Sequence, residues 1–139
     1  MESLKEYLTF KSGAQKAFII IKPGFLQYTE NIMEILKDAG WVVDRTIVKK
    51  LLPQESKKLY EVHKKESFYE DLCNYMSSDI SRACILKKIG SKLDDPFETI
   101  AKIKDNIRTE YGESDMRNVM HSSDSYESMV HEASVYFNL

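Results

Sequence analysis

Ala17-Phe18-Ile19-Ile20-Ile21, followed by Lys22-Pro23-Gly24, decides how this chain is built. The first five residues are apolar without interruption, and three are β-branched. Such side chains pack well on a pleated surface. A run without polar alternation suits a central strand covered on both faces. Pro23 and Gly24 end it.

Working outward, turn residues and hydrophobic spacing divide the chain into alternating elements. Thr29 is placed to cap a helix carrying Ile32, Met33, Ile35 and Leu36, which ends at Gly40. Residues 41–51 read as a long strand, with Val42, Val43, Ile47 and Val48 among polar residues. Pro53 suits the first turn of a helix bearing Leu59, Tyr60 and Val62. A second helix carries Phe68, Leu72, Tyr75 and Met76. Ala83-Cys84-Ile85-Leu86 is a short strand, and Pro96 opens a helix with Ile100, Ile103 and Ile107. A short strand before His121 and a helix over 125–136 close the pattern.

This order predicts an α+β fold of the ferredoxin-like type. It is a βαββαβ antiparallel four-stranded sheet with helices on its faces, formed by one domain over residues 1–139. The competing arrangement, a doubly wound parallel sheet, fits poorly with four strands and paired middle helices.

The composition restricts the function classes. Twenty basic side chains face 22 acidic ones, for a net charge of −2, which argues against a nucleic-acid footprint. No interleaved basic and aromatic strand of an RNA-binding module appears. Cys73 and Cys84 lack metal-ligand spacing and read as buried thiols of a reducing, cytoplasmic compartment. Residues 1–15 lack the apolar core of a signal peptide, and no run is long enough to span a bilayer. No membrane partner and no protein-borne metal site are expected.

The chemistry concentrates in Asn118-Val119-Met120-His121-Ser122-Ser123-Asp124-Ser125. His121 falls on a turn before a helix for which Asp124 and Ser125 are cap candidates. Glu132 lies about two helical turns further on, within reach of the ring. An imidazole can act as nucleophile or base, and a carboxylate can fix its tautomer. By pattern alone, such a pair also fits a structural role. His63, among Lys64, Lys65 and Glu66, reads as a solvated helix residue, and His131 carries no further signal.

Together with Ile21-Lys22-Pro23 and Ile107-Arg108, the His121 segment resembles the Asn-x-x-His-[Gly/Ala]-Ser-Asp-Ser signature of nucleoside diphosphate kinases. The similarity runs over residues 17–137. Tyr60 and, eight residues later, Phe68 match the family's Tyr and Phe in the middle helical hairpin.

The resemblance implies a ping-pong transfer of the γ-phosphoryl group from a nucleoside triphosphate to a nucleoside diphosphate through phospho-His121. It implies that Glu132 orients the ring, that Lys22 and Tyr60 flank the transferred group, and that Arg108 binds phosphates. Asn118 would contact the ribose, Phe68 would stack on the base with Leu72 beside it, and Ser123 would support Glu132. Mg²⁺ would arrive on the nucleotide phosphates. Without the resemblance, Phe68, Leu72 and Met76 fit a core stripe, and Lys22, Tyr60 and Arg108 fit ordinary surface or half-buried positions.

The chain also departs from the family. Gly24 stands where the family has Asp, Ser78-Asp79-Ile80 replaces a Ser-Gly-Pro turn, and Thr109 replaces a glycine. Residues 87–108 form a shorter segment than the family's, which carries a further Arg and Thr on the phosphates. Lys102, Lys104 and Thr99 are the candidates to replace them. The shortened segment also covers a loop that builds the family's hexamers, so a dimer or tetramer is expected. The departures leave a second function class open: a catalytically weak or inactive kinase-like module that binds nucleotides or proteins.

Overall fold

The computed structural model describes residues 3–8, 15–90 and 95–137. Its elements run α1 (Leu4–Leu8), β1 (Lys16–Ile21), α2 (Thr29–Asp38), β2 (Trp41–Lys49), α3 (Pro53–Leu59), α4 (Tyr69–Met76), β3 (Ser81–Lys88), α5 (Pro96–Tyr111), β4 (Met120–Ser122) and α6 (Tyr126–Tyr136). The strands form one sheet in the order β2-β3-β1-β4. β1 is antiparallel to both β3 and β4, and β2 is antiparallel to β3. This is the expected ferredoxin-like α+β arrangement.

β1 is continuous in its apolar character because neither of its faces meets water. Phe18 and Ile20 pack with Leu4, Leu8, Tyr60, Met76, Met129 and Tyr136 under α1, α3, α4 and α6. Ala17, Ile19 and Ile21 pack on the opposite face with Ile32, Leu36, Trp41, Ile100 and Ile107, under α2 and α5. Every residue of β1 is buried. At about 25 cal/mol per Å², burial of these side chains is the main source of stability.

Several local expectations shift. Thr29 is the first residue of α2, not its cap, and its hydroxyl donates to Leu26 O at 2.6 Å. The second strand is broken by a bulge, so that Val43 faces Leu86 and Arg45 faces Ile85. The bulged Asp44 bonds the Tyr7 hydroxyl and pairs with Lys16 at 2.6 Å. That bond ties β2 to α1, a helix whose five residues are too short to show periodicity. Tyr60 and Phe68 end up at helix boundaries, as the C-cap of α3 and the N-cap of α4. Val62 lies exposed in a short 3₁₀ turn, Glu61–His63. In the short segment over 87–108, residues 91–94 lie outside the described residues; the remainder is mostly α5, whose Asp95 cap accepts from Phe97 N and Glu98 N.

Candidate active site

His121 is the middle residue of β4 and stands opposite Ile20 of β1. The turn before it is unusual. Met120 N bonds Asn118 O at 3.0 Å, closing a γ-turn in which Val119 holds φ at 81°. A β-branched residue in this region is strained by about 1–3 kcal/mol. The surroundings hold it there: Val119 is fully buried, and its carbonyl accepts from Lys22 N at 2.8 Å. The turn thereby brings Asn118, Lys22 and His121 to one end of the sheet.

α6 supplies the carboxylate. Ser125 caps the helix, its hydroxyl accepting from Ser128 N at 3.1 Å. Asp124, the other cap candidate, is exposed and does not cap. Two turns later Glu132 Oε1 lies 2.8 Å from His121 Nε2 and accepts from Ser123 Oγ at 2.5 Å. Ser123 is itself anchored through its N–H to Phe18 O. An ionised carboxylate only accepts, so it selects the Nε2–H tautomer. The lone pair of the neutral ring then resides on Nδ1.

A cavity of about 510 Å³ opens beside the ring, lined by Lys22, Tyr60, His63, Phe68, Leu72, Arg108, Asp115, Met116, Asn118 and His121. Lys22 Nζ donates to Asn118 Oδ1 at 2.7 Å and to Met116 O at 3.3 Å, both uncharged acceptors. Burial first, then the charges of Arg108 and Lys104, push its ammonium down to about 7. Arg108 Nε is fixed by Met120 O at 3.0 Å. The Tyr60 ring meets His121 edge-on, with centroids 6.4 Å apart. The Tyr60 hydroxyl is buried without a hydrogen-bond partner among the described residues, and burial raises its pKa well above the ordinary value. A phenol held neutral and unpaired is a ready donor to an incoming oxygen. Phe68 is 42 % exposed and lines the cavity, whereas Leu72 is buried. That exposure separates Phe68 from the core stripe its spacing allows.

All nine residues singled out by sequence therefore converge. Seven line the cavity, while Ser123 and Glu132 stand behind the ring. Among the possible substitutes on α5, Lys102 is exposed and pairs with Glu98, and the Thr99 hydroxyl donates to Asp95 O. Lys104 is half-buried, close enough to act on Lys22.

His63 is not a solvated helix residue as its sequence context suggests. It sits half-buried in the 3₁₀ turn, its ring 5.4 Å from Phe68 and 6.5 Å from Tyr60. Residues three apart eclipse in such a turn, and the Tyr60–His63 spacing carries that signal. His131 also does more than its context suggests. Its Nε2 bonds Lys58 O at 2.8 Å and tethers α6 to α3.

Known proteins share this architecture. The family model for nucleoside diphosphate kinase matches residues 15–139. The nucleoside diphosphate kinase of Saccharolobus solfataricus is 29% identical over 137 residues, covering 90% of this chain and 96% of that protein. That of Hyperthermus butylicus is 30% identical over 131 residues, covering 89% and 92%. Human thioredoxin domain-containing protein 3 is 32% identical over 126 residues, covering 82% of this chain and 21% of that protein. A crystal structure of the Aquifex aeolicus nucleoside diphosphate kinase superposes with a TM-score of 0.72 at 25% identity, covering 89% and 95%. With the fold, the length of the match and the relatives in agreement, this chain belongs to the nucleoside diphosphate kinase family.

Proposed function

We propose that the protein is an active nucleoside diphosphate kinase working through a phosphohistidine. The observation that carries this reading is the His121 ring, held at Nε2 by Glu132 and bordered by a cavity whose fixed charges are mainly cationic. In the first half-reaction, the Nδ1 lone pair attacks the γ-phosphorus of a nucleoside triphosphate. The bond to the bridging oxygen breaks and the diphosphate leaves with that electron pair. In the second, a terminal oxygen of another diphosphate attacks the same phosphorus, and the P–N bond breaks back to His121.

Phosphoryl transfer places charge on the equatorial oxygens and asks the protein for positioning and positive charge. Lys22 and Arg108 supply the charge, and the unpaired Tyr60 O–H supplies a donor. Glu132 supports the ring as it becomes cationic, and Ser123 fixes Glu132. In this reading Asn118 contacts a sugar hydroxyl, and Phe68, with Leu72 beside it, stacks on a base. Stacking uses the face every base has, so broad base tolerance follows. The cavity suits a Mg²⁺–nucleotide as substrate, its metal carried on phosphate oxygens. Both cysteines are free and buried, which fits the cytoplasm.

Incubation with γ-labelled ATP tests the reading. Acid-labile, base-stable label on His121, discharged by a diphosphate of another base, is the expected result. Absence of label would favour the second reading, a nucleotide-binding or interaction module. The human relative supports that alternative, since its matching segment is 21% of a longer protein.

A further inference from the structure

Lys104 precedes Arg108 by one helical turn on α5, so the two side chains share a face. That face is directed at the site, because Arg108 lines the cavity and binds Met120 O beside His121. Lys104 is half-buried, yet it takes part in none of the ion pairs found among the described residues. The contrast with Lys102 on the same helix is direct: Lys102 is exposed and is matched by Glu98 at 3.6 Å.

The carboxylates of Asp105, Asp124 and Glu132 act on Lys104 from nearby, but none closes an ion pair with it among the described residues, and Glu132 is held by His121 and Ser123. The charge of Lys104 reaches Lys22, and that of Arg108 reaches Lys104. Partly buried cations that repel one another are costly unless an anion sits among them. An anion bearing several charges in a row, such as a di- or triphosphate, would relieve this repulsion. One helical turn, about 5–6 Å between Cβ atoms, is a span that linked phosphates can bridge.

We infer that Lys104 is a phosphate-binding residue that, with Lys22 and Arg108, grips the terminal phosphates of a nucleoside di- or triphosphate. The inference rests on the nucleotide reading of the cavity. It does not depend on catalysis.

The test is calorimetric titration of the full chain with ADP, inorganic pyrophosphate and adenosine. The variants are Lys104→Met, Lys104→Arg and, as a control, Lys102→Met. Lys104→Met should weaken ADP and pyrophosphate about ten- to a hundredfold, as expected for a lost charge-assisted hydrogen bond. Adenosine should be unaffected, Lys104→Arg should recover most of the loss, and Lys102→Met should match the parent. Unchanged ADP and pyrophosphate binding in Lys104→Met would overturn the inference. So would an equal loss for adenosine, an equal loss in Lys102→Met, or a parent protein that binds neither phosphate ligand. The labelling experiment with γ-labelled ATP is scored separately. A protein that takes no label yet shows this phosphate-dependent loss would retain Lys104 as a binding residue while losing the kinase reading.

Discussion

His121 is held through two hydrogen bonds that meet on Glu132 Oε1, one donated by Ser123 Oγ and one by the ring Nε2–H. His121→Ala should abolish phosphoenzyme formation and exchange while leaving the thermal midpoint close to the parent's, because the ring is partly exposed beside a cavity. Residual labelling at a comparable rate would point to another acceptor. Glu132→Gln keeps the shape but loses the charge, and should lower turnover by about ten- to a thousandfold with nucleotide binding retained. Unchanged turnover would restrict Glu132 to helix packing.

Lys22 gives a pH signature whose sign follows from its position. Its ordinary value is 10.5 and its folded value about 7, so the unfolded chain binds more protons between those limits. The folded state carries the full cost of Lys22 below about pH 7, and the cost shrinks as pH rises toward 10.5. Lys22→Met should therefore stabilise the free protein at pH 6, by a margin that narrows on the alkaline side. In the parent, anionic phosphates favour the charged form, so ADP binding should take up protons above about pH 7. Calorimetry in buffers of different ionisation enthalpy reads that uptake. Binding without proton exchange at pH 8, or a Lys22→Met variant less stable at pH 6, would contradict the assignment.

At the scale of elements, α5 and the γ-turn place the cations. α5 begins at Asp95, whose side chain accepts from Phe97 N at 3.0 Å and Glu98 N at 3.1 Å. Asp95→Ala should cost about 1 kcal/mol in urea unfolding, with the phosphoenzyme still formed. A neutral effect on stability would mean that tertiary packing of Ile100 and Ile107 holds α5 without its cap. The γ-turn at Val119 cannot shift without moving Asn118, Lys22 N and the start of β4 together. Strain concentrated there is compatible with a site that must be rigid before ligand arrives.

At the scale of the whole molecule, the sheet ends in the exposed edge of β2, where Val43 and Val48 reach the surface. Ile35 of α2 is exposed nearby, and a small apolar hollow of about 150 Å³ is lined by Met33, Leu36, Trp41, Val43 and Leu86. An open edge flanked by apolar side chains tends to acquire a partner. Stable assembly needs about 1,000 Å² or more of buried surface, and this face is the one expected to supply it. Light scattering coupled to size exclusion should give twice the 16.2 kDa protomer mass, or a tetramer built from such dimers. A hexameric mass would require another surface to join the dimers.

The sequence by itself determined the features that short-range chemistry encodes. The buried run of β1, the Pro and Gly stops, the opening of α5 at Pro96 and a cap at Asp124 or Ser125 depend on propensities and turn geometry within a few residues. The nine candidate residues were legible because motif spacing and resemblance do not need distances. Tertiary structure alone decided the rest. The bulge at Asp44 and the docking of α1 depend on a strand and a helix distant in sequence. The strained φ of Val119 is not a preference of valine; it is imposed by packing against β1 and by the bond from Lys22 N. His63 reads as solvated because its neighbours are charged, and it becomes a cavity wall because Tyr60 and Phe68 flank its ring. Lys102 and Lys104 are alike in composition and neighbourhood. They differ because two residues turn a helix by about 200°, sending one side chain to solvent and leaving the other half-buried within reach of the Arg108 charge.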